Sequence, residues 1–195
     1  MLSMFNVPFA IFDCIDWENK KQKLNELSQS QQIICEKQSD HTPVATDFYE
    51  NDEGQSYCEE IAELFKREIH AFYNQLQIQD SMKISQAWFE FADQGMYHPT
   101  HNHGAIGYSA ICYIDFDPKL HSSTTFIAPY NNFMNGQMLK CKLDVTEGTL
   151  IFFPSVIHHY STPNISDVTR KILSFNMIPE LMLEHHSLQQ NKVPE

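Results

Sequence analysis

The spacing of apolar and polar residues divides the chain into a helical first part and a strand-rich second part. Residues 4–14 (MFNVPFAIFDC) are apolar and aromatic, which predicts an opening strand. Residues 17–37 are polar with spaced apolar positions and predict a surface helix. Residues 56–76 carry apolar side chains at helical spacing, which predicts an amphipathic helix. The stretch 38–55 between these two helices is loop-like.

After Asp80, short segments rich in β-branched and aromatic residues alternate with turn signals such as Asn135-Gly136 and Glu147-Gly148. The predicted strands are 83–92, 106–115, 123–128, 138–143, 148–153, 157–162 and 170–178. Short strands at this spacing are typical of a β-sandwich or barrel. Because the helices precede the strands, we expect an α+β fold in which N-terminal helices pack on one sheet.

A chain of 195 residues is long enough for one well-cored domain, and no linker-like run separates two halves. We therefore expect a single domain over residues 1–195. Its helical part would cover about 1–80 and its strand core about 81–180, and 181–195 would be a polar tail.

The net charge and the cysteine content indicate which binding partners and which cellular compartment to expect. The formal net charge of -12 and the lack of Lys and Arg clusters disfavour nucleic acid as a partner. Five cysteines are scattered without a C-x-x-C pair, which indicates reduced thiols and a cytoplasmic location. The first residues lack the basic segment and cleavage site of a signal peptide. No apolar run reaches the ~18 residues that span a bilayer, so no membrane is expected.

Candidate metal ligands occur in two segments, HPTHNHG at 98–104 and FPSVIHH at 153–159. Imidazole is the commonest protein ligand for transition metals near neutral pH. His101 and His103 are two residues apart in a predicted strand, so both side chains leave the same face. We expect these two residues and His159 to bind one ion, with His158 as the alternative to His159. His98 is expected to be a solvated loop residue, and a position behind the metal ligands or facing the substrate is the alternative.

A candidate carboxylate clamp follows eleven residues after His159, in the segment RKILSFN that begins at Arg170. In a strand, Arg170, Ser174 and Asn176 share one face, and a planar guanidinium can bind a carboxylate through two hydrogen bonds. Tyr113 could add a hydroxyl from a neighbouring strand. A metal beside such a clamp fits a keto-acid cosubstrate, which favours iron among the metals that imidazole binds. Phe91 is expected either to line this cavity or to pack in the core.

In their order and spacing, these motifs resemble those of the 2-oxoglutarate and Fe(II)-dependent dioxygenases. The chain is similar to a subgroup of oxygenases common in phage and marine bacterial genomes. The resemblance covers roughly residues 84–178. The segments that carry it are His101-Asn102-His103, Cys112-Tyr113-Ile114, Phe153-Pro154-Ser155…His159, Pro163-Asn164 and Arg170…Ser174-Phe175-Asn176.

The resemblance implies a double-stranded β-helix core, also called a jelly-roll or cupin-like core. It places the first ligand pair at a strand end and the last histidine on a later strand, and the pattern F-P-S-x-x-x-H selects His159 over His158. The chain departs from the wider superfamily at two positions. His103 stands where the superfamily has an aspartate, so the third ligand is either His103, one of Asp93, Asp115 and Asp117, or water. Ile172 stands where a serine hydroxyl would contact the cosubstrate, and Ser174 is the expected substitute.

The activity that the resemblance implies is hydroxylation of a C–H bond with release of succinate and CO2. The expected cofactors are Fe(II) and 2-oxoglutarate, with ascorbate as an optional reductant, and the substrate would be a small molecule or a protein side chain. Two alternatives stay open: a cupin-like three-histidine enzyme that does not use 2-oxoglutarate, and a non-catalytic jelly-roll binding protein. The oligomeric state is also open, with a homodimer among the options.

Overall fold

The computed structural model describes residues 6–35, 43–48 and 57–182. Helices α1 (Trp17–Cys35), α2 (Cys58–Leu64) and α3 (Lys66–Leu76) precede most of the strands. The strands are β1 (Ala10–Asp13), β2 (Ala45–Thr46), β3 (Met82–Ala92), β4 (His98–His101), β5 (Tyr108–Asp115), β6 (Thr125–Asn131), β7 (Met138–Lys142), β8 (Thr149–Pro154), β9 (His159–Ser161) and β10 (Arg170–Pro179). Helices precede most of the strands, as predicted, and the tail from residue 183 lies outside the described residues.

The strands form two sheets whose neighbours are all antiparallel. The larger sheet has the order β1-β8-β5-β10-β3-β2, and the smaller sheet has the order β4-β9-β6-β7. The chain therefore crosses repeatedly from one sheet to the other between β3 and β10. This is the double-stranded β-helix that was predicted, and it is an α+β arrangement with the helices in the N-terminal part.

The larger sheet is buried on both faces. Successive side chains of a strand point to opposite sides, so each of its strands contributes residues to two cores. One face packs against the three helices, where Phe65 and Phe72 meet Phe152 and Phe175 of the sheet. The other face lies against the smaller sheet, and its apolar residues are Ile111, Tyr113, Ile151, Phe153 and Ile172, with Phe126 opposite. Tyr113 is part of this second core, whereas Phe91 belongs to the helix-side core.

A buried ion pair joins the first helix to the third. Lys20 Nζ lies 2.6 Å from both carboxylate oxygens of Glu68, and both side chains are largely excluded from water. Glu68 also accepts a hydrogen bond of 2.9 Å from the backbone N–H of Ile15, which lies between β1 and α1. Because a buried charge is stable only when it is paired, these contacts fix α1 and α3 against each other.

Three elements differ from the sequence-based prediction. The helix predicted over 56–76 is divided at Phe65, whose backbone ψ of 16° leaves the helical range while its ring is fully buried. Strand β2 lies inside the stretch 38–55 that was predicted to be a loop, and it pairs with β3. Strand β4, HPTH, is short, polar and contains a proline, so it lacks the apolar alternation that marks a strand.

Gly107 shapes the turn that leads from the histidine segment into β5. Its backbone has φ +87°, and a Cβ atom there would lie 2.1 Å from the carbonyl oxygen of Met177. Only glycine allows this approach of β5 to β10. The turn brings Ser109, two residues further on, next to His103.

No helix within the described residues has the length and apolar character needed to cross a lipid bilayer.

Candidate metal centre

Three histidines from separate parts of the fold converge on one point. His101 ends β4 and lies opposite His159, the first residue of β9, while His103 follows two residues after the strand end. The backbone N–H of His103 donates a 2.9 Å hydrogen bond to the carbonyl of Ser155, which holds the loop in place. One possible ligand nitrogen from each ring lies within 4.8 Å of the others. The predicted convergence of His101, His103 and His159 is confirmed.

The second nitrogen of each ring has a partner that sets the ring orientation. Nδ1 of His101 lies 2.8 Å from the carbonyl oxygen of Pro99, and Nδ1 of His159 lies 2.9 Å from that of Ile157. A carbonyl only accepts, so Nδ1 carries the hydrogen in both rings and Nε2 presents a lone pair. Such outer partners are typical of metal-binding histidines.

His103 is oriented in the same way by side chains of the larger sheet. Its Nδ1 lies 2.8 Å from Ser109 Oγ and 2.9 Å from Asn176 Oδ1. The Ser109 hydroxyl itself donates to Asn176 Oδ1 at 2.8 Å, so the amide oxygen is the acceptor at the centre of this group. Nε2 of His103 therefore also faces the shared point, 3.1 Å from Nε2 of His101.

This arrangement fits a transition-metal cation. Two ring nitrogens with their lone pairs directed at each other at 3.1 Å repel unless a cation or a proton lies between them. Burial, together with the charge of His101, lowers the pKa of His103 to about 4. Burial also lowers the pKa of His101 and of His159, so the rings are neutral near pH 7 and able to bind a metal. Imidazole ligands suit iron among other transition metals.

The alternative ligands named from the sequence lie elsewhere. The ring of His158 faces Asn102, whose amide nitrogen is 3.3 Å from its Nε2. Asp115 pairs with Lys21 and Lys171, while Asp93 accepts a hydrogen bond from Thr169 and Asp117 from the N–H of Lys119. Within the described residues, none of these carboxylates joins the group of potential ligands.

Arg170 is buried, and only one of its three guanidinium nitrogens makes a hydrogen bond in the described part of the chain. The residue is 3% exposed, and Nη1 donates a 3.0 Å hydrogen bond to the carbonyl of Ser122. Nε and Nη2 have no hydrogen-bond partner in the described part of the chain. Burial lowers the pKa of Arg170, and the charge of Glu90 opposes this effect, so the guanidinium stays cationic. An unpaired buried donor pair is costly, and a carboxylate ligand would satisfy both donors.

The remaining predicted residues divide between the two faces of the larger sheet. Tyr113 belongs to the core between the sheets, where its hydroxyl donates to Thr124 Oγ1 and accepts from the Thr124 N–H, both at 3.1 Å. Ser174 and Asn176 alternate with the helix-side residues of β10 and are buried on the inner face. Phe91 packs in the helix-side core with Phe89, so the structure does not bring it to the histidines.

Sequence reasoning missed Glu90, the acidic side chain in the buried strand AWFEFA of β3. It is 4% exposed, and its Oε1 lies 3.1 Å from Trp88 Nε1 and 3.1 Å from His98 Nδ1. Burial would raise the pKa of Glu90, but the charge and the hydrogen bond of His98 outweigh it and lower the pKa. His98 is therefore a partner of a buried acid and not a solvated loop residue. A lone acid within an apolar strand is the signal that could have revealed this site.

A cavity of about 370 Å³ opens beside two of the three histidines. Its walls combine the rings of Phe48 and Trp88, which meet edge to face at 5.1 Å, with polar side chains. The lining residues are Thr46, Phe48, Gln86, Trp88, His98, His101, Asn102, His103 and Asn176. Such a concave site next to a metal centre is a candidate substrate pocket.

Comparison with protein families supports the interpretation of this site. Residues 86–176 match the model of the family described as "Putative 2OG-Fe(II) oxygenase", which confirms the resemblance found in the sequence. The matched range includes Glu90, the three histidines and Arg170. No curated protein sequence matches the chain.

Solved structures with a similar fold include three prolyl hydroxylases. A prolyl-4-hydroxylase from Pseudomonas putida has 12% sequence identity and a TM-score of 0.61, and the match covers 89% of this chain and 94% of that protein. A viral collagen prolyl hydroxylase from Paramecium Bursaria Chlorella virus-1, solved as a 2OG complex, has 14% identity and a TM-score of 0.58, with 87% and 94% covered. A prolyl hydroxylase from Trichoplax adhaerens, solved with a peptide fragment of hypoxia inducible factor, has 13% identity and a TM-score of 0.58, with 89% and 84% covered. At this identity the likeness establishes the fold alone.

Proposed function

We propose, on the premise that residues 86–176 form a domain of the 2OG-Fe(II) oxygenase family, that this protein uses Fe(II) and 2-oxoglutarate to hydroxylate a C–H bond. The observation that carries the proposal is the combination of a three-histidine cluster with a buried, half-unpaired guanidinium on the inner face of the larger sheet. A metal ligand set alone fits many enzymes. A metal ligand set with a carboxylate receptor in the same double-stranded β-helix fits a cosubstrate that has a keto acid at one end and a second carboxylate at the other.

The histidines would hold the metal, and Arg170 would hold the far carboxylate of 2-oxoglutarate. Nε and Nη2 of Arg170 offer two donors for this carboxylate, and the buried Tyr113 hydroxyl lies on the neighbouring strand. Ser174 contributes a hydroxyl to the same wall, while Asn176 acts on the metal side by orienting His103. These residues would hold the cosubstrate on the inner face, with its far carboxylate at Arg170 and its other end at the metal.

When bound, Fe(II) and 2-oxoglutarate activate O2 and supply the oxidant, with succinate and CO2 as products. The chain provides orientation and a dry environment. Phe126 and Phe153 pack around His159, with ring centroids 5.9 and 4.9 Å from its ring, and they exclude water from that side. The substrate would enter through the 370 Å³ cavity, which reaches His101 and His103 from the opposite side.

The proposed substrate is a protein side chain or a small molecule. The lining of the cavity supports this class because it contains aromatic rings, amides and imidazoles. Among the described residues no Lys or Arg lines it, and phosphate groups would require such side chains. One prolyl hydroxylase of similar fold is named for collagen and another was solved in complex with a peptide fragment, which favours a protein substrate. A homodimer and a cytoplasmic location stay predictions.

The test is succinate formation from 2-oxoglutarate by the purified protein with Fe(II) and ascorbate under air. We expect slow succinate formation without substrate, and its loss in His159→Ala. Binding is measured separately by the thermal shift that 2-oxoglutarate produces in the presence of Mn(II).

The two alternatives give different results in these measurements. A three-histidine enzyme that does not use 2-oxoglutarate would bind metal, show no shift with 2-oxoglutarate, and tolerate replacement of Arg170. A non-catalytic binding protein would form no succinate under any of these conditions. Either result would overturn the proposed activity.

A further inference from the structure

We propose that Glu90 is the positioning residue of the metal centre, because its buried carboxylate holds the two rings that support His101 and His103. This inference rests on the proposed metal site. It concerns a residue that is not a ligand and that acts through Trp88 and His98.

A single oxygen atom organises this group. Oε1 of Glu90 accepts hydrogen bonds from Trp88 Nε1 and from His98 Nδ1, both at 3.1 Å. Because both donors bind the same atom, the indole and the imidazole are fixed relative to each other. Hydrogen bonds to an ionised carboxylate are roughly twice as strong as neutral ones, so this fixation is firm.

Each of the two held rings contacts a different metal ligand. The ring of His98 stacks on that of His101, with centroids 3.9 Å apart and planes 16° from parallel. The ring of Trp88 meets that of His103 edge to face at 5.1 Å. The backbone of His98 is itself anchored, since its N–H donates a 2.9 Å hydrogen bond to Ser161 Oγ in β9. Glu90 therefore acts on two of the three ligands at once.

These two ligands are the ones that need support. His159 is buried among aromatic rings, whereas His101 and His103 are only partly buried. His101 ends the edge strand of the smaller sheet, and His103 lies in the loop that follows. Their packing against His98 and Trp88 limits rotation of the imidazoles, so that Nε2 of each stays directed at the shared point. Outer partners of this kind typically contribute about 10- to 100-fold to metal affinity.

The chain contains a matched control for this arrangement. Trp17 Nε1 donates to Glu147 Oε1 at 3.1 Å, the same bond between the same residue types at the same length as Trp88 to Glu90. Trp17 begins α1, on the helix side of the larger sheet. Replacing these residues reproduces the chemical change away from the histidines.

The experiment uses the full chain and Co(II) alone, without 2-oxoglutarate. Co(II) binding is followed by visible absorption, whose bands report the geometry of the ligands. Glu90→Gln keeps the size of the side chain and removes its charge, and Trp88→Phe keeps a ring and removes the N–H donor. We expect each variant to bind Co(II) at least about tenfold more weakly and with altered bands. Glu147→Gln and Trp17→Phe are expected to bind Co(II) like the wild type.

The outcomes separate this inference from the proposed function. A wild-type protein that does not bind Co(II) would overturn the metal site itself. If the wild type binds Co(II) and both Glu90→Gln and Trp88→Phe keep its affinity and spectrum, only the role of Glu90 is overturned. The same holds if the two control variants lose as much affinity as the test variants, because the effect would then be general. Circular dichroism checks folding, and Trp88→Phe decides the question should Glu90→Gln not fold.

Discussion

His101 and His159 lie directly opposite each other in the β4–β9 pair, and their rings are 4.4 Å apart between centroids. Directly opposed residues of antiparallel strands bring their side chains together on one face of the sheet. Strand pairing alone therefore assembles two of the three ligands. The third ligand, His103, depends on a loop that is held by its bond to the Ser155 carbonyl.

Because His159 lies opposite His101, replacing His159 should affect metal binding more than replacing the adjacent His158. His159→Ala should weaken Co(II) binding by more than the about 10- to 100-fold that an outer partner contributes, because it removes a ligand. His158→Ala should leave the affinity unchanged, since that ring faces Asn102. Isothermal titration of both variants with Co(II) measures the difference. Equal losses in the two variants would contradict the assignment of His159.

The ligand set could be predicted from the sequence because the histidines occur in short motifs. H-x-H places two imidazoles close together whether or not the second lies inside the strand, and here His101 ends β4 while His103 follows it. The helices and long strands could also be predicted, because residues buried at regular intervals leave a regular pattern of apolar positions in the sequence. Strands β2 and β4 are short and polar, so they leave no such pattern.

The face on which a residue of β3 lies could not be predicted. From Ala87 to Ala92 every residue is buried, because the strand has helices on one side and the smaller sheet on the other. A strand buried on both faces has no alternation of polarity, so the sequence does not show whether Phe91 or Glu90 lies on the side of the histidines. The structure places Glu90 there. Trp88 lies two residues earlier on the same strand, whereas His98 reaches Glu90 only through a tertiary contact.

Arg170 provides the second prediction, which concerns the cosubstrate. Arg170→Met should weaken 2-oxoglutarate binding about 100-fold, because hydrogen bonds to a charged group contribute about 1.5–3 kcal/mol each. Lys171→Met is the matched control, since it removes a cation at the next position on β10, where the side chain pairs with Asp115. Titration calorimetry with 2-oxoglutarate in the presence of Mn(II) measures both. A 2-oxoglutarate affinity that is unchanged in Arg170→Met would exclude the carboxylate clamp.

The buried pair of Lys20 and Glu68 leads to a prediction about stability. Glu68→Gln should lower the free energy of unfolding by about 3–5 kcal/mol, because it leaves a buried ammonium without its counter-charge. The double variant Lys20→Met/Glu68→Leu should recover most of this loss, since it removes both charges from the interior. Glu63→Gln breaks an exposed pair with Lys66 and should change stability by less than about 1 kcal/mol. Urea denaturation followed by circular dichroism gives all three values, and a double variant no more stable than Glu68→Gln would contradict the argument.

Cysteine reactivity is the last prediction and depends on pH. Burial raises the pKa of Cys58 to about 11, although a hydrogen bond with the backbone of Ala87 opposes this effect. The thiolate is the reactive form, so Cys58 should react with iodoacetamide only slowly at pH 8, and its rate should rise about tenfold per pH unit towards its pKa. Cys141 is exposed and should be alkylated before Cys14, Cys58 and Cys112, the other cysteines whose side chains the structure describes. Peptide mass spectrometry of timed samples at several pH values measures each site, with Cys58→Ser as the control for assignment. Alkylation of Cys58 at pH 8 as fast as that of Cys141 would show that the thiol is not shielded as the structure indicates.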